Sequence, residues 1–181
     1  MRRVLVATAF FAIATFAHAA DQPYAGQHQR DIKALSQEEV DGYMRGAGMG
    51  LAKAAELNGY PGPMHVLELA EPLGLSASQR EKMQNLMEAH KAEARTLGAE
   101  IVRHEHALDR LFAGRKATVQ AVDDTLAGLA AAQARLRGSH LKAHLAATQL
   151  LSAEQVRKYA DLRGYADAGA AAKPSGGHGP H

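Results

Sequence analysis

Two long apolar stripes that obey the same step rule constrain this chain more than any other feature. From Met83, the residues Met87, His90, Ala94, Leu97, Ile101, His104, Leu108 and Leu111 follow at alternating steps of four and three. Beyond Ala113-Gly114-Arg115-Lys116 the rule repeats through Val119, Val122, Leu126, Leu129, Gln133, Leu136, His140, Ala143, Ala147 and Leu150, with Gln133 its one amide member. Such spacing holds one face of an α-helix, whereas a strand would alternate faces at every residue. Two helices of this kind joined by a short breaker double back as an antiparallel hairpin. A turn near residue 115 then sets level those positions whose numbers sum to about 230. Met83 meets Ala147, Met87 meets Ala143, Ala94 meets Leu136, Ile101 meets Leu129, Leu108 meets Val122 and Leu111 meets Val119. His90 falls opposite His140, and Leu97 meets Gln133, the poor match, whose amide is expected at the edge of the seam.

Helix starts and stops frame the hairpin. Ser36-Gln37-Glu38-Glu39, Ser76-Ala77-Ser78-Gln79 and Ser152-Ala153-Glu154-Gln155 each read as a capping box, in which Ser and the residue three later satisfy each other's orphan amides. They predict helices over 37–45, from 77 onward, and over 153–163. Thr118 caps the second arm. Leu51–Leu57 offers two further turns, Asn58-Gly59-Tyr60-Pro61-Gly62-Pro63 breaks the chain, and Pro63 opens a helix running to about Glu71. Asp21–Leu35 reads as an extended lead. The expected fold is all-α, a long hairpin with short flanking helices, four or so in all.

The N-terminus sets the compartment. Arg2-Arg3, an uncharged run from Val4 to Ala17, and Ala17-His18-Ala19 make a secretory signal with an A-x-A cleavage site. The apolar run is short for a membrane-spanning helix. Cleavage after Ala19 leaves 162 of 181 residues, and losing Arg2 and Arg3 lowers Lys+Arg from 21 to 19, equal to Asp+Glu. Without net charge, a general nucleic-acid or anionic-membrane footprint is not expected. The absence of Cys excludes disulfides, thiolate metal sites, iron–sulfur clusters, thiol catalysis and a lipoprotein anchor. The expected organisation is a signal peptide at 1–19, a lead with short helices at 20–59, a helical domain at 60–165 and a disordered Ala/Gly-rich tail at 166–181. The expected location is the periplasm.

Leu75-Ser76-Ala77-Ser78-Gln79 and Leu151-Ser152-Ala153-Glu154-Gln155 resemble the paired Leu-Thr-x-x-Gln motifs of the Spy/CpxP-type periplasmic proteins, with Ser for Thr in both copies. Gly59-Tyr60-Pro61-Gly62-Pro63-Met64-His65-Val66-Leu67 resembles the lead-in of the heavy-metal sensor branch of that superfamily. The resemblance covers residues 60–165. It implies an all-α fold, commonly a homodimer, and two competing activities. One is binding a divalent transition metal and reporting to a membrane-bound regulatory partner. The other is ATP-independent holding of unfolded envelope proteins. A regulatory interaction module is the third possibility.

The histidines carry the metal expectation. His140 and His144 are an i,i+4 pair on one helix face, the spacing at which two imidazoles clamp one ion. The register brings His90 level with them. His65 and Glu68 complete the shell if the helix from Pro63 folds back over the hairpin base. Imidazole, carboxylate and thioether suit Zn²⁺, Ni²⁺, Co²⁺ or copper. The metal-sensor branch draws ligands from its first helix too, but an i,i+4 pair there needs His at 69, where this chain has Leu69. His104 faces Leu126 in this register and reads as structural. His104 and His106 point apart, and His178 and His181 lie in the tail. Met44, Met49 and Met64 offer an adaptable apolar patch for clients, though ordinary packing accounts for them too. No G-x-S-x-G, H-E-x-x-H, P-loop or dinucleotide fingerprint occurs, so no enzymatic activity is expected.

Overall fold

The computed structural model describes residues 23–165, so the signal segment and the tail with His178 and His181 lie outside the described residues. Six α-helices follow one another: α1 Gln37–Arg45, α2 Lys53–Glu56, α3 Pro63–Glu68, α4 Ala77–Ala113, α5 Val119–Gln149 and α6 Ala153–Leu162. Among the described residues there is no strand. Each expected cap forms. Ser36, Ser76 and Ser152 accept the amides of Glu39, Gln79 and Gln155, which return the bond to the cap amide, and Thr118 Oγ1 accepts from Ala121.

The 37 residues of α4 span about 55 Å and α5 folds back along them. The seam buries Ala94, Leu97, Ile101, Leu129, Ala132 and Leu136 in mid-hairpin. Nearer the base, Met83 and Ala147, a level pair by the register, are fully buried with Val66, Ala70, Leu73, Leu75 and Tyr159. Each large apolar side chain withdrawn there contributes about 1.5–3 kcal/mol.

Gln133, the poor match of the register, is exposed with its amide in water, and Ala132 beside it lies in the buried cluster with Leu97 and Ile101. One seam expectation is corrected, since towards the tip the stripe is left bare: Val119 is 80% exposed and Leu126 42%. Only two helices run there, and a two-helix ribbon has too little surface to enclose its own seam.

The lead supplies the third layer. It is not simply extended: a single 3₁₀ turn at Gln27–Gln29 precedes the buried Ile32 and Leu35. Both the backbone amide and Nζ of Lys33 reach the Asp109 carboxylate at 3.3 Å, pinning the lead near the tip. From there it runs towards the base, and α1 crosses α4 at Gly98. A Cβ at Gly98 would meet the Tyr43 carbonyl carbon at 2.7 Å and its Cα at 3.1 Å, so only glycine allows this crossing. Of Leu51–Leu57 only Lys53–Glu56 is helical. α3 then packs against both arms at the hairpin base.

Candidate metal-binding site

The paired register puts His90 against His140 with 3.0 Å between His90 Nε2 and His140 Nδ1, and their rings meet nearly edge-on. The other nitrogen of His90 lies 3.2 Å from Ser139 Oγ, which donates its proton to Glu93 Oε2 at 2.7 Å. This chain of bonds assigns the protons. A serine hydroxyl has one hydrogen, and here it goes to the carboxylate. His90 Nδ1 must therefore donate to Ser139. In the neutral ring His90 Nε2 is then an acceptor, and His140 Nδ1–H is its donor. That leaves His140 Nε2 as a bare lone pair, buried and without any partner. Burial sustains the neutral forms. It depresses His140 to about 4, with His90 and His144 adding to the effect, and lowers His90 despite the opposing pull of Glu93.

His144 stands one turn further along the same face. Its Nδ1 donates to the Tyr60 carbonyl at 2.7 Å and lies 3.6 Å from Glu56 Oε2. In the neutral ring its Nε2 is again a bare lone pair. The protein thus presets two Nε2 atoms, four residues apart, in the tautomer that binds metal, each with its opposite nitrogen held by a hydrogen bond. An imidazole ligand needs a free lone pair and a held opposite nitrogen, and both His140 and His144 meet these two conditions.

The remaining candidates are placed differently. His90 orients His140 through its own Nε2. His65 and Glu68 bond each other at 2.8 Å on α3. Although α3 does pack on the hairpin, no three His, Asp or Glu side chains among the described residues converge on a point that could hold a metal ion. His104 lies against Gly128 of the opposite arm, where a Cβ would come within 3.0 Å of both ring nitrogens. It fills a notch in the bundle, as its lone position in the register suggested.

Sequence reasoning gave no site role to Glu93, whose charge run reads as a solvated helix face, or to Ser139 or Glu56. Ser139 and Glu93 could have been found, since their numbers satisfy the hairpin register. Glu56 had no local signal, yet it is the hub of the hairpin base. Tyr159 donates to its Oε1 at 2.5 Å, Gly62 N–H to its Oε2 at 3.2 Å, and Arg163 Nε stands 3.6 Å away. Burial and this bond hold the Tyr159 phenol well above the usual tyrosine range.

The Gln residues of the two Leu-Ser-x-x-Gln motifs also meet. Gln79 Nε2 donates to Gln155 Oε1 at 2.8 Å and to the Leu150 carbonyl at 2.9 Å. Gln155 Nε2 reaches Gln79 Oε1 at 3.2 Å and the Leu73 carbonyl at 3.3 Å. Each Gln thus caps its own helix and ties it to the other, which Glu could not do, lacking the amide donors. Compared with known proteins, the chain matches no family model, no curated protein and no solved structure.

Proposed function

We propose that this is an exported, non-enzymatic binding protein of the bacterial envelope that holds a divalent transition metal ion through His140 and His144, in the manner of a Spy/CpxP-like metal sensor or buffer. The observation that carries the reading is the buried, unpartnered Nε2 of His140. An unsatisfied buried nitrogen costs about 1–3 kcal/mol, and a bound ion would remove that cost. His90, through Ser139 and Glu93, keeps His140 in the ligating tautomer. Two imidazoles leave coordination positions open for water or a group from a partner, which suits a sensor or buffer better than a closed structural site. The signal-like N-terminus supports the periplasm as its place of action, and a membrane-bound regulatory protein as its partner.

The test is calorimetric titration of the mature protein with Zn²⁺, Ni²⁺, Co²⁺ and Cu²⁺ beside a His140→Ala/His144→Ala double variant. Stoichiometric binding that disappears in the variant is expected. Binding no tighter than that of a peptide carrying the two tail histidines would refute the site.

A second reading, ATP-independent holding of unfolded proteins, draws on one observation. Met44, Met49, Leu57, Tyr60 and Met64, all on the lead and α3, are each between 42% and 52% exposed. Exposed thioethers repack easily and suit varied apolar clients. Suppression of aggregation of a reduced client protein, weakened by changing the three Met residues to Ser, is the corresponding assay.

A further inference from the structure

The zero net charge of the mature chain hides an uneven distribution. Along the shaft of the hairpin the acids of α4 balance the bases of α5. Arg135 is paired with Glu100, and Glu88 and Glu93 stand level with Lys142 and Arg137 in the register that sets Met83 beside Ala147. At the tip this balance ends. Residues 110–122 carry Arg110, Arg115 and Lys116 and no acid. None of these three bases has an ion pair among the described residues. Asp109, the last acid of α4, is taken by Lys33. The next acids, Asp123 and Asp124, sit about 6 Å or more back from the first residue of α5. Every residue from Phe112 to Gln120 is exposed, Phe112 by 60% and Val119 by 80%. Phe112, Ala113, Leu108 and Ala34 also wall an open, mainly apolar groove of about 370 Å³ beside the turn, with Glu105 and the Lys33–Asp109 pair further from the tip.

The turn itself is a Schellman motif. Lys116 N–H donates to the Leu111 carbonyl at 2.9 Å, and Arg115 N–H to that of Phe112 at 3.0 Å. The left-handed position of this motif usually goes to glycine. Here Arg115 holds it at φ 52°, while Gly114 beside it has φ −81°. A long charged side chain is kept at the end of the hairpin where the backbone alone favours glycine. Bases without acids, next to exposed apolar side chains, suit a surface that offers phosphates and acyl chains together. A protein surface fits less well. Two helices side by side present an end roughly 20 Å across, whereas a stable protein interface covers about 800 Å² on each partner. We propose that the hairpin tip docks end-on to an anionic phospholipid surface, with Arg110, Arg115 and Lys116 among the headgroups and Phe112 and Val119 at the acyl boundary. Docked in this way the hairpin stands on end and holds His140 about 30 Å from the lipid, by the rise per residue along α5. The docking does not depend on the metal reading, which concerns His140 and His144 alone.

The experiment is co-sedimentation of the full mature chain with vesicles of phosphatidylcholine alone and of an equal mixture with phosphatidylglycerol. Binding to the anionic vesicles that weakens with added salt is expected, with little or none to the neutral ones. One base near such a surface is worth about fivefold in affinity, so Arg110→Gln/Arg115→Gln/Lys116→Gln should bind about a hundredfold more weakly. Phe112→Ser should lose about tenfold. Arg115→Gly separates docking from folding. It should weaken binding about fivefold while its urea midpoint is no lower than the parent's, since glycine suits the turn. No binding by the parent, equal binding to both kinds of vesicle, or unaltered binding by the triple variant overturns the proposal. So does a parent that sediments as a dimer without lipid beside a triple variant that sediments as a monomer, which makes the tip a contact between copies of this chain.

Discussion

Acidification tests the histidine chain without any metal. Burial holds His140 at about 4, whereas in the unfolded chain a histidine titrates near 6.5. Between those values the unfolded state binds the extra proton, so unfolding becomes easier as pH falls. The sign follows from the depressed value: this contribution to stability is complete above about pH 6.5 and is lost progressively down to about pH 4. Taken from about pH 7.5 to about pH 4.5, a single such group costs the fold about 2.5 kcal/mol. His90, lowered for the same reason, acts in the same direction. For a chain of this size that corresponds to a fall in Tm of roughly 5–10 °C. Carboxylate pairs elsewhere also lose strength in acid, so the informative quantity is a difference. In His140→Asn the side-chain amide stands in for Nδ1–H and still reaches His90 Nε2, but nothing at 140 titrates. Urea unfolding of both proteins, with chelator, at the two pH values and one ionic strength should give the variant about 2 kcal/mol less pH dependence than the parent. Equal pH dependence within about 0.5 kcal/mol would refute the assignment of a neutral, buried His140.

Other consequences concern the joints of the fold. Gly98→Val drives a branched side chain into the Tyr43 backbone, which cannot yield as a side-chain tip would; a loss of about 3 kcal/mol or more in chemical denaturation, with α1 amides exchanging fast, is expected. Gln79→Ala and Gln155→Ala should each cost about 1–3 kcal/mol, and a double-mutant cycle should show a coupling above about 0.5 kcal/mol, since the two amides bond each other. Strict additivity would place them in separate caps. Tyr159→Phe removes a hydrogen bond to the Glu56 carboxylate and should lower stability by about 1.5–3 kcal/mol; an unchanged denaturation midpoint would mean that water replaces the phenol there.

The sequence alone determined the hairpin, its register and its ends. Heptad spacing and capping boxes are local signals, and a short turn converts two local helices into one tertiary pairing without further information. His90 could therefore be set opposite His140 from numbers alone, and the structure places them 3.0 Å apart. Gln133 lies in water, as its poor match to Leu97 implied, with Ala132 in the seam beside it. The logic failed where neighbours outside the hairpin decide. At Val119 the pattern continues, but the lead, tied to Asp109 on the other arm, leaves it 80% exposed. The candidate site divides along the same line. The i,i+4 spacing of His140 and His144 is written in the chain, whereas the bond from His144 Nδ1 to the Tyr60 carbonyl is a contact across 84 residues. So is the bond that gives Glu56 its role, whose partner Tyr159 lies 103 residues away. No periodicity encodes such contacts. They arise because the lead, too short and too glycine-rich to fold by itself, lies wherever the hairpin offers it a notch, and Gly62 and Gly98 mark where the backbone itself had to fit.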